Sequence, residues 1–400
     1  MQYQVVNSRD LYPERIETKN GVKILDTYRN LEWLLRQFKI EIKYNLMTRM
    51  REIIIPNHYI FKDDIENSAL NKIRYLARIN YMPTNDLDMH LDDLAGENPY
   101  HPIVECIKSK PWDGTNRLDD FIKTITATDP NLAYKLIYTW MVAACAAAHS
   151  EDGFINHGVL VLQGKQSLGK TSWVRALNPI TAHAIKEGAL LDPSNKDSVL
   201  MFARHWIIEL GEIDATFNSK DVAQLKSFIT LQADDVRMPY AHRAVRLPRR
   251  SAYIATVNNQ NFLADDTGNR RWWTIEVEAI NYDHGMDMQQ VWAQVYTYWQ
   301  NGAKSYLVHD IQEAVNRANT HHEKVDPFTE ILLTKYDWDN PGRNWKTLTQ
   351  ILRDIGYEKP SPVDCRRMGT AIRKITGKGG RKSNGLCLYE IPVLQKIGYV

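Results

Sequence analysis

The octet Gly164-Lys165-Gln166-Ser167-Leu168-Gly169-Lys170-Thr171 lies between an apolar run, GVLVLQ, and a helix-compatible one, TSWVRAL. No other feature of the chain restricts the fold as tightly, because GxxxxGK[ST] in this setting requires a strand that feeds a helix through a loop wrapped around an anion. Gly164 and Gly169 let backbone N–H groups and the start of the next helix face a β-phosphate. Lys165, Gln166, Ser167 and Leu168 form the turn between them, and Ser172 follows at the helix start. Lys170 is placed to neutralise β- and γ-oxygens, and the Thr171 hydroxyl to coordinate Mg²⁺. The chain is therefore expected to bind and hydrolyse a nucleoside triphosphate, ATP in the first instance. A chance Gly/Lys/Ser-rich turn is the bland alternative, and the flanking strand and helix weigh against it.

The pattern from Gly158 to Val277 agrees with that requirement. Short apolar runs, HGVLVLQG, HWIIELGE, SAYIATVN and WWTIEV, alternate with helical or polar stretches, as in a parallel sheet with crossover helices. The fold class expected is α/β. At 400 residues and 44% hydrophobic content, the chain should divide further, since single cores rarely grow past roughly 250 residues. Residues 1–95 read as a small mixed lobe, with helical spacing in LEWLLRQF and a short strand in REIIIP. Residues 96–157 read as a helical segment containing the alanine-rich, buried LAYKLIYTWMVAACAAAH. Residues 158–305 form the core, closed by the helix MQQVWAQVYTYWQNG with Gly302 as its C-cap. Residues 326–400 read as helix, turn, helix and basic hairpin, the order of a small winged helix.

His205-Trp206-Ile207-Ile208-Glu209-Leu210-Gly211-Glu212 is an apolar strand that ends in two carboxylates. Phosphoryl transfer to water uses one acid to hold Mg²⁺ and another to orient the water; Glu209 is the candidate for the metal and Glu212 for the water. An ordinary strand with a solvated acidic end is the competing view. Asn258 ends the strand SAYIATVN, where it can sense a γ-phosphate or hold the lytic water, or simply begin a turn with Asn259. Arg270 and Arg271, in TGNRRWW, are poor core residues just before a strand. One of them is a candidate arginine finger for a neighbouring subunit, with surface salt bridging as the alternative.

With 24% charged residues and a net charge of +2, any nucleic-acid surface must be local. Two segments qualify. VRMPYAHRAVRLPRR carries Arg237, His242, Arg243, Arg246, Arg249 and Arg250 on an expected hairpin with Tyr240 near its tip, and Lys226 precedes it. Cations and an aromatic on a protruding loop suit a DNA backbone; a solvated surface hairpin is an equal reading. The C-terminal stretch places Arg366, Arg367, Arg373, Lys374, Lys378, Arg381 and Lys382 against one acid, Asp364. Asp86, Asp88, Asp92 and Asp93 around His90 read as a solvated acidic face. The four scattered cysteines make neither a zinc site nor a disulfide framework. The start lacks a signal-peptide layout and no apolar run reaches membrane-span length, so a cytosolic protein is expected.

Taken together, NPYHP, KPWDGTNRLDDF, the phosphate-loop octet, WIIELGEID, the segment from Lys226 to Arg250, Asn258 and TGNRRWW resemble the virulence-associated protein E family. This is a family of phage and mobile-element ATPases similar to superfamily 3 helicases and to the helicase half of phage primase-helicases. The resemblance implies an AAA+-related core, a homo-oligomeric ring, usually a hexamer, with ATP between neighbours, and DNA gripped by a central hairpin. By position, Gly164 to Thr171 correspond to Walker A, Glu209 and Glu212 to Walker B, Asn258 to sensor 1, and Arg270 or Arg271 to the finger. The hairpin around His242 and Arg243 would line the pore. An ATP-dependent DNA helicase of the bacterial host's cytoplasm is the function implied, and a DNA-binding replication initiator without unwinding is the alternative. Zinc-ribbon cysteines and a primase carboxylate set are missing, so primer synthesis is assigned to a partner primase or polymerase, or to a preceding domain. The N-terminal lobe then serves as collar or linker. A small-molecule kinase or a GTPase is disfavoured, the latter by the lack of an NKxD motif.

Overall fold

Apolar runs without polar alternation have two faces to bury, and these runs occupy the middle of one mixed six-stranded sheet. The computed structural model describes residues 9–56, 65–180, 184–190, 195–211, 227–236, 244–263, 269–323, 326–339 and 343–394. The sheet consists of β1 (Ile125–Ala127), β2 (Val159–Gln163), β3 (Ile185–Ala189), β4 (Ile207–Leu210), β5 (Ala252–Val257) and β6 (Trp272–Ile280), in the order β1-β6-β2-β5-β4-β3. From β6 to β3 all neighbours are parallel, and β1 joins β6 antiparallel across a bulge. Every residue of β2 and β4 is buried.

Around the sheet lie α1 (Pro102–Ser109), α2 (Pro130–His149), α3 (Lys170–Ala176), α4 (Lys196–Ala203), α5 (Met288–Gln300) and α6 (His309–Asn319). Asp129 caps α2 by accepting from Leu132 N, and Pro130 occupies its first turn, where a missing N–H costs nothing. The small alanines of α2 let an indole approach its backbone, Trp206 Nε1 donating to Ala144 O at 2.8 Å, while Trp140 of α2 itself donates to Tyr253 O of β5 at 2.7 Å. Trp292 of α5 donates to Leu177 O at 2.8 Å. These three buried indoles gain large apolar contact without stranding their N–H groups. Gly158 makes room for another, since a Cβ there would lie 2.2 Å from the indole nitrogen of Trp273. Gly302, just past α5, takes φ +91, as a C-terminal glycine cap does.

Two compact units result, Met1–Gln260 with Thr267–Thr320, and Asn261–Asp266 with His321–Val400. Within the first, the N-terminal stretch keeps its own apolar cluster, including Leu31, Leu34, Ile73, Leu76, Leu91 and Leu94. Helices Tyr28–Gln37, Ile65–Ile79 and Leu87–Glu97 accompany a small sheet ordered Met50–Ile54, Glu41–Asn45, Pro99–Tyr100. The acidic run divides here: Asp88 and Asp92 face solvent and pair with Arg51, whereas His90 is buried with Nε2 3.3 Å from Asp26.

The second unit contains helices Pro327–Lys335, Leu348–Asp354 and Pro362–Thr376, with an antiparallel sheet ordered Arg343–Lys346, Leu386–Pro392, Arg381–Ser383. Capping boxes at Thr347/Gln350 and Ser361/Asp364 start its last two helices. Asn384 and Gly385, at φ 47 and 77, turn its hairpin as the type I′ geometry demands. Among the described residues, no helix is long and apolar enough to cross a membrane.

Candidate active site

The loop after β2 closes on itself through its lysine. Lys170 is buried, and its ammonium donates to Gly164 O and Lys165 O, both at 2.7 Å, and to Asn258 Oδ1 at 2.9 Å. Gly164 N donates to Val257 O at 3.1 Å, so the loop begins as an extension of the β2–β5 ladder. The glycines are sterically required. A Cβ on Gly164 would lie 2.6 Å from Val277 O, and one on Gly169, at φ +85, would lie 2.4 Å from the ring of Tyr282. Ser167 also takes a positive φ of 66, uncommon for a residue with a side chain. Lys165, Gln166 and Ser167 are exposed, whereas Leu168, Gly169, Thr171 and Ser172 are half-buried.

Glu209 is 2% exposed and collects three donors: Thr171 Oγ1 at 2.7 Å and Thr256 Oγ1 at 2.8 Å on Oε1, and Gly188 N at 3.4 Å on Oε2. Strand β5 lies between β2 and β4, so the hydroxyl and the carboxylate meet across an intervening strand. That strand contributes Thr256 and Asn258, which share a face because strand residues alternate. Hydroxyl and carboxylate oxygens this close suit a hard divalent cation. The whole group lies at the carboxyl ends of parallel strands, where ligands of open α/β sheets bind. Thr256 and Tyr282 were not singled out from sequence; a hydroxyl two residues before Asn258 in an otherwise apolar strand was the available sign for Thr256.

The arginine pair lies elsewhere in the chain. Asn269–Arg271 is a short turn entering β6, with Arg270 exposed and Arg271 half-buried. Because Trp272 pairs with Val159 and Glu276 with Gln163, the pair sits at the opposite end of the ladder from the loop, about 20 Å away at ~3.3 Å per residue. Buried Asn319 of α6 fixes this turn, donating to Asn269 O and Trp272 O at 2.9 Å and accepting from Thr274 Oγ1 at 2.7 Å. Burial, then the charge of Arg270, lowers the Arg271 pKa.

The strands Ala233–Val236 and Val245–Pro248 pair antiparallel and flank the expected hairpin tip. Arg237, His242 and Arg243 lie outside the described residues, as do Glu212 and Lys226. Arg249 requires a correction: it is not a surface cation. It is 1% exposed, forks onto both oxygens of Asp234 at 2.6 Å, and stacks 3.6 Å from the centre of the Phe228 ring. A guanidinium so deeply buried is out of reach of DNA. Arg250 is half-buried and donates to Ser150 O and Glu151 O.

The C-terminal basic stretch is also less one-sided than its sequence suggests. Lys374 pairs with Glu323, Arg367 with Asp326 at 3.1 Å, and Lys378 with Glu390 at 3.3 Å. Arg373, Arg381 and Lys382 are exposed.

The family model for the virulence-associated protein E-like domain matches residues 107–324. No curated protein matches the sequence. Among solved structures, the apo NrS-1 C-terminal region (305–718) aligns over 91% of this chain and 98% of its own, at 13% identity and a TM-score of 0.43. Its A form aligns over the same shares at 14% identity and a TM-score of 0.45.

Proposed function

We propose that this chain, which belongs to the virulence-associated protein E-like family, is an ATP-dependent DNA helicase of phage or mobile-element replication that works as a ring, usually of six subunits, on single-stranded DNA. The observation that carries this reading is the meeting of Lys170, Thr171, Glu209 and Asn258 at the carboxyl ends of β2, β4 and β5. These residues come from separate stretches of sequence, and each has the type that phosphoryl transfer uses.

In this reading the Lys170 ammonium leaves the carbonyls of Gly164 and Lys165 for anionic β- and γ-oxygens, since hydrogen bonds between ions are roughly twice as strong as neutral ones. Asn258, released from Lys170, presents its amide to the attacking water, and Glu212 takes that water's proton. Thr171 and Glu209 would hold Mg²⁺, which neutralises charge developing on the transferred group. Arg270 and Arg271 lie too far from this chain's own loop to touch a triphosphate there, which supports the finger being offered to the next subunit. The core is then of P-loop, AAA+-like type. The second unit, with its three helices and three-stranded sheet, is read as a winged helix, with Arg373, Arg381 and Lys382 available for DNA.

ATP turnover per chain, measured against protein concentration and added single-stranded DNA, tests the reading; it should rise with both, and flat curves would overturn it. In strand displacement, Lys170→Ala and Arg271→Ala should each abolish unwinding. A mixture of the two should regain some ATPase activity, because their defects fall on opposite sides of a subunit boundary. ATP-dependent, sequence-specific footprints without displacement would favour an initiator instead.

A further inference from the structure

Segments distant in sequence converge at the base of the hairpin, and three of them bring an arginine. Arg49, at the end of the turn between Glu41–Asn45 and Met50–Ile54, donates from Nη2 to Pro248 O at 2.5 Å. Arg250 donates from Nε to Ser150 O at 2.8 Å and from Nη2 to Glu151 O at 2.9 Å, just past the end of α2. The Ser251 hydroxyl bonds Phe202 O and His205 O at 2.8 and 2.6 Å, drawing in the end of α4 and with it Arg204. His149 ends α2, and His101, 5% exposed, precedes α1.

Among the described residues, no acid side chain bonds to this group. Nε of Arg49, Nε of Arg204, Nη1 of Arg250 and both ring nitrogens of His101 are buried without a hydrogen-bond partner. Glu151 and Asp152, whose charges reach Arg250, are themselves exposed. Burial first, then the charges of Arg250, His149 and Arg49, pushes His101 down to about 3; burial, then Arg250, holds Arg49 near 10. Arg49 also keeps a left-handed φ of 62, enforced by buried Asn45, which accepts from Arg49 N at 2.8 Å and from the amides of Met47 and Thr48. Buried donors are normally satisfied, and strained residues are kept where function requires them. A cluster that only supported the fold would carry an acid, whereas this one carries guanidinium forks, the groups that best match a phosphate.

We propose that Arg49, Arg204, Arg250 and His101 form a receptor for one phosphate group, and that its occupant is a backbone phosphodiester of single-stranded DNA at the base of the hairpin. Each arginine keeps part of its surface exposed although the unpartnered donors are buried, and Arg246 on the hairpin stem is exposed beside the same base. Only the choice of DNA rests on the proposed function; the anion site itself does not.

Two measurements on the full chain test this. In thermal unfolding, inorganic phosphate should stabilise the native chain more than chloride at equal ionic strength, and Arg204→Gln should abolish the difference. Without phosphate, Arg204→Gln should melt no lower than the native chain, because one of three like charges is gone; a purely structural arginine would lower the melting point. With a labelled oligo-dT, Arg49→Gln and Arg204→Gln should each weaken binding about tenfold and reduce the slope of log K against log salt by about 0.7, the value for one phosphate on a single strand. A methylphosphonate oligo-dT, with its neutral backbone, should not distinguish the variants. An Arg204-dependent phosphate shift with unchanged oligo-dT affinity would overturn the DNA assignment and leave a free-phosphate site. No phosphate shift together with unchanged affinity would overturn the receptor itself. A native chain that neither hydrolyses ATP nor binds oligo-dT, yet gains Arg204-dependent stability from phosphate, would sink the helicase reading alone.

Discussion

Lys170 and Arg49 are both cations drawn out of water within the same unit, and their surroundings treat them differently. Lys170 finds two carbonyls and an amide oxygen, and Glu209 nearby finds two hydroxyls and an N–H. Arg49 finds Pro248 O, while among the described residues its Nε, Nε of Arg204, Nη1 of Arg250 and the ring nitrogens of His101 have no partner. The first group is held in shape by bonds within the protein, which any anion entering the loop must displace. The second is held by the chain's connectivity against mutual repulsion, and an anion would relax it. Ligand affinity at the loop is therefore reduced by bonds already made, whereas affinity at the arginine group is increased by bonds not yet made.

The sharpest break in that contrast comes from Lys170→Ala, which removes the charge that those bonds hold in place. Its ATP turnover should fall on the order of a thousandfold, with folding retained by circular dichroism. Next, Glu209→Gln keeps shape and the Thr171 contact but loses the anion. Turnover should drop about a hundredfold while a fluorescent ATP analogue still binds without added metal. A metal dependence of turnover equal to that of the native chain would remove Glu209 from the cation site. Asn258→Ala takes away one acceptor for Lys170 and should cost about tenfold in turnover.

The smallest effect concerns the unmatched group and has a definite sign. His101 has a folded pKa near 3 against 6.5 when unfolded, so below pH ~6.5 the unfolded chain binds a proton that the folded chain refuses. Stability should fall as pH drops from about 6.5 toward 3, with a contribution of roughly 1 kcal/mol per pH unit from this residue. The facing groups on neighbouring elements are Arg49, Arg250 and His149. In His101→Asn the dependence between pH ~6 and ~4, followed by urea unfolding, should be correspondingly shallower. Equal slopes would show that His101 takes up a proton in the folded chain.

What could be read from the residues follows from where the partners lie. β2, β4 and β5 were legible because a buried parallel strand is apolar at most positions, and the loop because its glycines and lysine fall within one octet. β3 was not, since Lys186, Glu187 and Gly188 give an edge strand no apolar signature. Arg249 looked like a surface cation because composition does not reveal hairpin register, and register is what places Asp234 beside it. The arginine group was invisible for the same reason: Arg49, Arg204 and Arg250 are joined only by contacts between distant segments. Thr256 lay within sight of Asn258, yet its bond to Glu209 depends on β5 standing between β2 and β4.

β6 has a property that its residues do not show separately. Its far end emerges from the Asn319-clamped turn that carries Arg270 and Arg271, and its near end sets Val277 O against Gly164. One strand therefore touches the loop from Gly164 to Thr171 and also supports Arg270 and Arg271. In the proposed ring, a shift that opened or closed that loop would be carried along the strand to the next boundary. Each subunit would then pass on its own state without a separate signalling element.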